Sequence, residues 1–372
     1  MPKRTGRTLL IVARNKRGVD AHLAKGEWKL ADRLTAIDLF SGCGGLSLGL
    51  RRAGFRVLAG IECAALAAST YAHNHPEVRL INDDIRNVSP HDLRTSLDLA
   101  RGELSLLAAC PPCQGFSRIR TRNKATARDP RNDLVFDVVR FADEFEPPTV
   151  LLENVPGLLR NSRIAVLQSA LASRGYHIHK GVFDAADFGV PQRRKRMILI
   201  ATRMEGFVFP LPSPRKKTVR EVIGNLPLPK RSTDPLHNYT ERRSARVVRR
   251  IESVPKDGGG RESFDASLRL KCHEGTDGFR DVYGRLRWDD VTSTITSGCI
   301  NPSRGRFLHP SQNRAITLRE AALLQTFPKG YKFLLSAGRY AVAEMIGNAL
   351  PPEFVRRHAA SIAGHLRRLS QG

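Results

Sequence analysis

Long apolar runs are scarce in this sequence. The longest one near its start, Leu9–Ala13, is interrupted by Arg14, whereas a membrane-spanning helix needs about 18–20 apolar residues. The run is also too short for the apolar core of a secretory signal peptide. We therefore expect no membrane partner, and we expect the protein to work in the cytoplasm.

Cysteine is scarce as well, with six residues in a chain of 372. So few cysteines cannot form a disulfide scaffold in a chain of this length. Cys110 and Cys113 form a Cys-x-x-Cys pair, but the sequence has no second such pair to complete a zinc site. The sequence therefore predicts a reducing environment and no metal.

Acidic residues are the minority among the charged ones. The chain has 36 Asp and Glu against 61 Lys and Arg, a formal net charge of +25, and its isoelectric point is near 10.6. Such an excess predicts a polyanionic partner, with nucleic acid as the first candidate. A ribosome-associated protein, or a basic surface that only aids solubility, would show the same balance.

From Thr35 onward, short apolar runs alternate with helix-like stretches. The predicted strands are Ala36–Phe40, Val57–Glu62, Val78–Ile81, Leu104–Ala109, Thr149–Leu152 and Lys195–Thr202, and the predicted helices include Leu46–Ala53 and Asp133–Phe145. Strands and helices in alternation form a mainly parallel sheet through right-handed crossovers. We therefore predict a doubly wound α/β domain over residues 35–204.

The remaining residues divide into three predicted parts. Residues 1–34 form a basic amino-terminal arm. Residues 205–336 are rich in Pro, Gly, Ser and Arg and have few helix-like stretches, so they predict a smaller, irregular basic domain. Residues 337–372 contain a predicted helix, Pro352–Leu369, whose apolar periodicity would let it pack back on the sheet.

Three predicted strands end in residues suited to a nucleoside. A glycine-rich turn, Asp38–Gly45, follows the first strand, where open sheets bind cofactors at their carboxyl edge. Glu62 ends the second strand and could accept hydrogen bonds from ribose hydroxyls, and Asp83–Ile85 could meet an adenine amino group. The turn departs from GxGxxG, which makes a dinucleotide less favoured.

The segment Cys110–Ser117 follows the fourth predicted strand and allows several interpretations. Its cysteines could be a redox pair, half a zinc site, two structural residues, or they could include a nucleophile held by two prolines. Glu153 ends the next strand and would lie near Cys113 as an acid or base, unless it is a surface carboxylate. The cationic stretch Gln192–Arg196 could bind phosphates, hold the site's carboxylates or form a solvated face.

In their order along the chain, these motifs resemble those of the DNA (cytosine-5) methyltransferases. The resemblance runs from about Thr35 to Pro352. It rests on DLFSGCGG (38–45), Glu62, Asp84–Ile85, PPCQGFS (111–117), ENV (153–155), Gln192, Arg194, Arg196, Arg314, Thr317, REAALLQTFP (319–328) and GNALPP (347–352). Cys110 departs from the small residue usual in the family and could form a disulfide with Cys113, and Met345 departs from a frequent glutamine.

The resemblance implies a class I S-adenosylmethionine-dependent methyltransferase fold and a target-recognition domain at 205–336. It implies sequence-specific methylation of cytosine C5 in double-stranded DNA, with S-adenosylmethionine as cofactor and with Cys113, Glu153 and Arg194 as catalytic residues. The implied cofactor-binding residues are Phe40, Ser41, Gly42, Gly44, Gly45, Glu62, Asp84, Ile85, Pro111 and Asn348. The target base would flip out of the duplex.

The predicted nucleic-acid contacts are Gln114, Ser117, Arg196, Arg242 and Arg243. The last two belong to the basic cluster Arg242–Arg250, for which a solvated helix face is the alternative. The segment Arg118–Arg131 is expected to be a mobile loop that closes over DNA. We also expect a monomer in a bacterial cytoplasm, associated with the nucleoid, and a cognate restriction endonuclease in the same cell.

Other functions remain to be distinguished. A tRNA cytosine-5 methyltransferase would share the fold, but its catalytic loop typically reads PPCQPFT rather than PPCQGFS. A catalytically silent DNA-binding protein would have lost Cys113, Glu153 or a cofactor glycine, all of which are present. An unrelated basic structural protein would not show these motifs in order.

Overall fold

The computed structural model describes residues 33–112, 130–239, 241–270 and 280–369. Its centre is a seven-stranded sheet in the order β3-β2-β1-β4-β5-β7-β6. The strands are β1 (Thr35–Leu39), β2 (Arg56–Ile61), β3 (Arg79–Ile81), β4 (Leu106–Ala109), β5 (Thr149–Asn154), β6 (His177–Asp184) and β7 (Lys195–Thr202). Neighbouring strands from β3 to β5 are parallel, and β7 is antiparallel to both β5 and β6. The predicted doubly wound, mainly parallel sheet is confirmed.

Helices follow the strands in the expected alternation. The first are α1 (Gly45–Arg52), α2 (Ala65–Asn74), α3 (Pro90–Ser96), α4 (Asp137–Phe145) and α5 (Ser162–Ala172). Later in the chain lie α6 (Val219–Ile223), α7 (Ala245–Ser253), α8 (Leu318–Leu324), α9 (Gly338–Asn348) and α10 (Pro352–Leu369). Among the described residues, no helix is long and apolar enough to cross a membrane.

The sheet is covered on both faces because its side chains alternate. Along β5, Val150 and Leu152 pack into one apolar cluster with residues of α4 and α5, whereas Leu151 packs into a second cluster with residues of α1 and α10. The pleat of the strand therefore places Glu153 on the same face as Leu151. Helix α10 lies close to α1, since a Cβ added to Gly49 would be only 2.3 Å from Cβ of Val355.

The region after β7 has two further apolar clusters. One joins Cys43, in the loop after β1, to residues of α6, α8 and α9. The other brings Ile251 together with Phe264 and Tyr283. The loop after β1 thus packs against the small irregular region. The domain boundaries at 34, 204 and 336 stay predictions.

The predicted and observed strands differ in two respects. Strand β6 was not predicted, because its residues are mostly half-exposed and form no continuous apolar run. The predicted strands at Val78 and Leu104 begin one and two residues later, at Arg79 and Leu106. Nearly all of the predicted amino-terminal arm, most of the predicted loop Arg118–Arg131, and the residues Cys113, Gln114 and Ser117 lie outside the described residues.

Candidate active site

The loop after β1 lies at the carboxyl edge of the sheet, between the two halves of the strand order. Open α/β sheets bind ligands at this place. Phe40 has a φ of 63° and Gly42 a φ of 55°, which turn the backbone sharply away from the strand. A Cβ added to Gly42 would meet no atom within 4 Å. There is therefore open space above this glycine, at the predicted cofactor site.

Glu62 follows β2 and is oriented by the same loop. Its Oε2 accepts a hydrogen bond from the backbone N–H of Gly42 at 2.8 Å, and its Oε1 accepts one from Ala64 at 2.7 Å. Each carboxylate oxygen has further lone pairs. The two oxygens are therefore fixed in position and can accept more hydrogen bonds, as a pair of neighbouring ribose hydroxyls would require.

The other predicted adenosine contacts are less open. The Asp84 carboxylate binds the Arg86 guanidinium through distances of 2.9 and 2.6 Å, and these hydrogen bonds lower the pKa of Asp84 to about 2. The Ile85 side chain is buried in the first apolar cluster. Ser41 donates its hydroxyl to the carbonyl of Ile61. Their contact with a cofactor stays a prediction.

A buried polar chain supports the loop from below. Asp38 is fully buried and accepts a hydrogen bond from the Ser47 hydroxyl at 2.6 Å, and that hydroxyl also contacts the Tyr71 hydroxyl. Burial raises the pKa of Asp38 to about 7. Tyr331 donates its hydroxyl to the Cys43 carbonyl at 2.6 Å.

The loop glycines sit tightly against their neighbours. A Cβ on Gly44 would lie 2.5 Å from His75 Nε2 and from the Tyr331 hydroxyl, and one on Gly45 would lie 2.5 Å from the Leu350 carbonyl oxygen. Both positions therefore require glycine for steric reasons, because any larger residue would displace the loop. Their predicted contact with a cofactor is a separate matter and stays a prediction.

The end of β4 leads toward the predicted nucleophile. Asn154 donates its side-chain amide to the Pro111 carbonyl at 3.0 Å, which fixes the first residues after β4 against the end of β5. Burial, together with the nearby Glu153 carboxylate, raises the pKa of the Cys110 thiol well above its usual value.

Glu153 is the buried acid of this edge, with 7% of its surface exposed. Its Oε1 is 2.9 Å from Nε of Arg196. Burial raises the pKa of Glu153, although the positive charges of Arg196 and Arg194 oppose the increase. Arg196, predicted as a DNA contact, is thus an ion-pair partner of the predicted catalytic acid. Its contact with DNA stays a prediction.

Arg194 and Gln192 join the sheet to the small region. Arg194 donates to the carbonyls of Ile295 and Gly347 at 2.9 and 3.0 Å. Gln192 accepts from the Ile295 N–H and donates to the Gln325 side chain. The motif that precedes β7 therefore holds together three segments that are distant in sequence.

Asn348 is the exposed last residue of α9. The preceding Gly347 packs so closely that a Cβ there would be 2.2 Å from the backbone of Thr296. Asn348 is therefore a surface residue directly after Gly347, whose carbonyl accepts a hydrogen bond from Arg194. Its predicted cofactor contact remains untested.

Arg243 and Arg242 lie in the small region, just before α7. Arg243 forms an ion pair with Glu241 and donates to the Ile300 carbonyl at 3.0 Å. These contacts give Arg243 a place in the folded structure, whereas Arg242 is exposed. A DNA contact by either residue stays a prediction.

No sequence pattern indicated the roles of two residues of the site, Gln325 and Tyr331. Gln325 belongs to the LQTFP motif, but the sequence does not show that its amide donates to the Ile346 carbonyl while it binds Gln192. Tyr331 lies outside every motif. Across the described ranges, no group of three or more His, Cys, Asp or Glu residues could hold a metal ion.

Comparison with known proteins identifies the family. A family model for C-5 cytosine-specific DNA methylases matches residues 34–364. The Type II methylase M.HgiDII of Herpetosiphon aurantiacus is 35% identical over 355 residues, which cover 90% of this chain and 96% of the relative. The Type II methyltransferase M1.HphI of Haemophilus parahaemolyticus is 33% identical, and the alignment covers 88% of this chain and 86% of that protein.

Solved structures agree in fold. A proposed DNA modification methyltransferase encoded within a prophage of E. coli superposes with a TM-score of 0.66 at 24% identity, covering 90% of this chain and 99% of that one. The S. pombe Dnmt2 methyltransferase gives a TM-score of 0.58 at 17% identity, covering 90% and 99%. These likenesses support the fold, and the family match extends over most of the sequence. The chain therefore belongs to the C-5 cytosine-specific DNA methylase family.

Proposed function

We propose that this DNA cytosine-5 methyltransferase methylates one cytosine within a short sequence of double-stranded DNA, with S-adenosylmethionine as methyl donor. The observation that carries the proposal is the ion pair of the buried Glu153 with the partly buried Arg196 at the carboxyl edge of the sheet, beside the segment that leads to Cys113. A buried acid at the end of β5, beside the strand that leads to the predicted thiol nucleophile and at the same sheet edge as the open space above Gly42, fits what cytosine methylation requires.

The residues of the loop after β1 fit S-adenosylmethionine. The open space above Gly42 gives room for a ligand, and the fixed oxygens of Glu62 suit ribose hydroxyls. The Asp84 carboxylate would have to share its oxygens between Arg86 and the adenine amino group. When bound, S-adenosylmethionine supplies an electrophilic methyl group.

The chemistry that these residues perform begins with the cytosine ring. Cytosine C5 is a weak nucleophile, and addition of the Cys113 thiolate to C6 gives C5 the enamine character that methylation needs. Glu153 donates a hydrogen bond or a proton to N3 and stabilises the adduct. The raised pKa of Glu153 favours its protonated form nearer to neutral pH. Once C5 has taken the methyl group that the bound cofactor would supply, leaving S-adenosylhomocysteine, loss of the C5 proton to water and expulsion of the Cys113 thiolate would complete the reaction.

Arg194 and Arg196 position the acid rather than accept its proton. Arg196 forms an ion pair with Glu153, whereas Arg194 donates to two backbone carbonyls and adds positive charge nearby. Arg196 therefore orients the carboxylate from one side.

The target base must flip out of the duplex to reach the Glu153 carboxyl, at a cost of a few kcal/mol.

Sequence specificity belongs to the region after β7 in this proposal. That region supplies the irregular loops and basic side chains that read base edges and phosphates. The relatives are named as a Type II methylase and a Type II methyltransferase, so we also propose chromosomal DNA as the substrate in the cell and a cognate endonuclease of the same specificity.

The reaction is tested by incubating the purified protein with unmethylated bacterial DNA and S-adenosylmethionine, followed by conversion sequencing at single-base resolution. We expect 5-methylcytosine confined to one short motif. A parallel reaction with unmodified tRNA tests the other substrate class. Methylation of tRNA alone, or cofactor binding without methylation of either substrate, would contradict the proposal.

A further inference from the structure

A cavity of about 710 Å³ opens in the small region beside the predicted catalytic motif. Its polar lining has five arginines against two aspartates, Asp281 and Asp290, together with the hydroxyl groups of Ser293, Thr294 and Thr296. Arginine guanidinium groups and hydroxyls are the side chains that most often bind phosphate oxygens. The lining chemistry therefore points to an anionic ligand.

One wall of the cavity is fixed to the catalytic motif. The backbone N–H of Arg193 donates to the Thr292 carbonyl at 2.8 Å, and the Thr294 hydroxyl donates to the Arg193 carbonyl at 2.7 Å. Arg194, the next residue, donates to the Ile295 carbonyl. A group bound in the cavity would thus be held in a defined position relative to Glu153 and its neighbours.

Two of the arginines in the cavity are already paired. Arg193 binds both oxygens of Asp290 at 2.8 Å. Arg306 contacts Asp281 and donates to three backbone carbonyls. These two arginines stabilise the cavity walls and neutralise the two aspartates of the lining.

Arg287 and Arg304 differ from them. Both are exposed, and within the described residues neither guanidinium makes a hydrogen bond or an ion pair. Arg287 also lies near enough to Asp290 to lower the pKa of that carboxyl. The two aspartates of the lining are nevertheless paired with Arg193 and Arg306, so the cavity keeps an excess of positive charge. An anion between or beside Arg287 and Arg304 would neutralise this excess.

The side chains of these two arginines lie close against glycines. A Cβ on Gly258 would lie 2.3 Å from Nε of Arg287, and one on Gly298 would lie 2.7 Å from Cβ of Arg304. A larger residue at either glycine would therefore have to displace the arginine side chain.

We propose that Arg287 and Arg304 bind a backbone phosphate of the DNA substrate. The inference rests on the proposed function, because it assumes a DNA substrate. A phosphate fits better than a base edge, since two cations and hydroxyl groups line one cavity and phosphate contacts fix the register of a protein on DNA. The pair positions the substrate and takes no part in the chemistry.

The test measures DNA affinity against salt concentration for wild type, Arg287→Gln, Arg304→Gln and Arg304→Lys. Each glutamine variant should bind about tenfold more weakly, because a charge-assisted hydrogen bond is lost. Each should also reduce the slope of log affinity against log salt by about one. Arg304→Lys should keep the slope, since it keeps the charge. Conversion sequencing should find the same methylated motif in every variant.

Arg56→Gln is the matched control, because Arg56 is exposed at the amino end of β2, opposite the carboxyl edge. It should bind DNA as wild type does, and binding of S-adenosylhomocysteine should be equal in all variants. The inference is overturned if the glutamine variants keep wild-type affinity and salt slope. It is also overturned if they relax the methylated motif at one position with an unchanged slope, which would indicate base reading. If wild type itself neither binds nor methylates DNA, the proposed function fails together with the inference.

Discussion

The sheet is stabilised by apolar side chains that point alternately into two clusters, whereas the region after β7 is stabilised by arginine side chains that donate hydrogen bonds to backbone carbonyls. Arg285 is fully buried and has no carboxylate partner among the described residues. It donates instead to the carbonyls of His309, Gln312, Ile251 and Val254 and to the Asn313 side chain. One side chain therefore joins the carboxyl end of α7 to a loop near α8.

Other arginines of this region also donate hydrogen bonds to backbone carbonyls. Arg306 donates to the carbonyls of Gly258, Gly259 and Arg285, and Arg250 donates to that of Leu268. Loops without regular structure leave many carbonyls unpaired, and buried carbonyls need donors. Arginine meets this need because it has five donors and a long stem. The comparison teaches that irregular segments can be ordered by a few polar side chains where a sheet relies on many apolar ones.

The largest expected effect lies where the two regions meet. Glu153→Gln keeps the volume of the side chain but removes its acid. We expect kcat to fall by about 10²- to 10⁴-fold, the usual contribution of a general acid or base. A steady-state assay of methyl transfer to DNA measures this. The control Glu146→Gln removes an exposed ion pair with Arg101 and should keep wild-type kcat. An active Glu153→Gln enzyme would contradict the assigned role.

Arg285→Met should disrupt the small region most strongly. It leaves several buried carbonyls without donors, so we expect the free energy of unfolding to decrease by about 3–5 kcal/mol. Denaturant titration followed by circular dichroism measures the change. Arg220→Gln is the control, because Arg220 forms an exposed ion pair with Asp289, and it should change stability by less than about 1 kcal/mol. Equal effects of the two substitutions would refute the proposed role of Arg285.

His358 lies in α10, the helix that packs on the sheet. It is buried among aromatic rings, including those of Phe354 and Phe183, and burial lowers its pKa to about 4. The folded state therefore binds fewer protons than the unfolded state below about pH 6.5, and stability is lost as the pH falls from there toward 4. This group should contribute about 2 kcal/mol of that loss between pH 7 and pH 5.

The His358→Phe variant should lose that part of the pH dependence. Unfolding free energies at pH 7 and pH 5 give the difference directly. His177→Phe changes an exposed histidine on β6 and should keep the wild-type difference. A wild-type pH dependence in the His358 variant would show that burial does not keep this ring neutral.

The smallest effect concerns the loop that touches both regions. Gly42→Ala forces a side chain into a left-handed backbone conformation and should cost about 1 kcal/mol of stability. Its methyl group would also enter the open space expected to hold the methyl donor, so calorimetry should show weaker binding of S-adenosylhomocysteine. Gly330→Ala, whose Cβ would likewise meet nothing within 4 Å but which is not among the positive-φ glycines, should change neither quantity.

The sheet could be predicted largely from the sequence because its strands are continuous apolar runs. Lys195–Thr202 and Pro352–Leu369 match the observed β7 and α10 at both ends. Strand β6 could not be predicted, because an edge strand with polar residues such as His177 and Lys180 shows no such run.

The active site could be predicted in its residue types but less in its contacts. Glu153 was expected as the acid, and it does lie buried at the end of β5. Arg196 was expected to contact DNA, but which way a side chain at the start of β7 points depends on the antiparallel pairing with β5. The role of Arg285 depends on five partners, two at the end of α7 and three in the loop before α8, which no local pattern reveals.

The central claim is that Cys113 attacks cytosine C6 with help from Glu153. The most direct test incubates the protein with duplex DNA that has 5-fluorocytosine at the methylated position, together with S-adenosylmethionine, and measures denaturation-resistant protein–DNA complexes. Fluorine cannot leave C5 as a proton does, so the adduct should accumulate for wild type and for Cys110→Ser and be absent for Cys113→Ser. A complex that persists in Cys113→Ser, or that depends on Cys110 instead, would contradict the account.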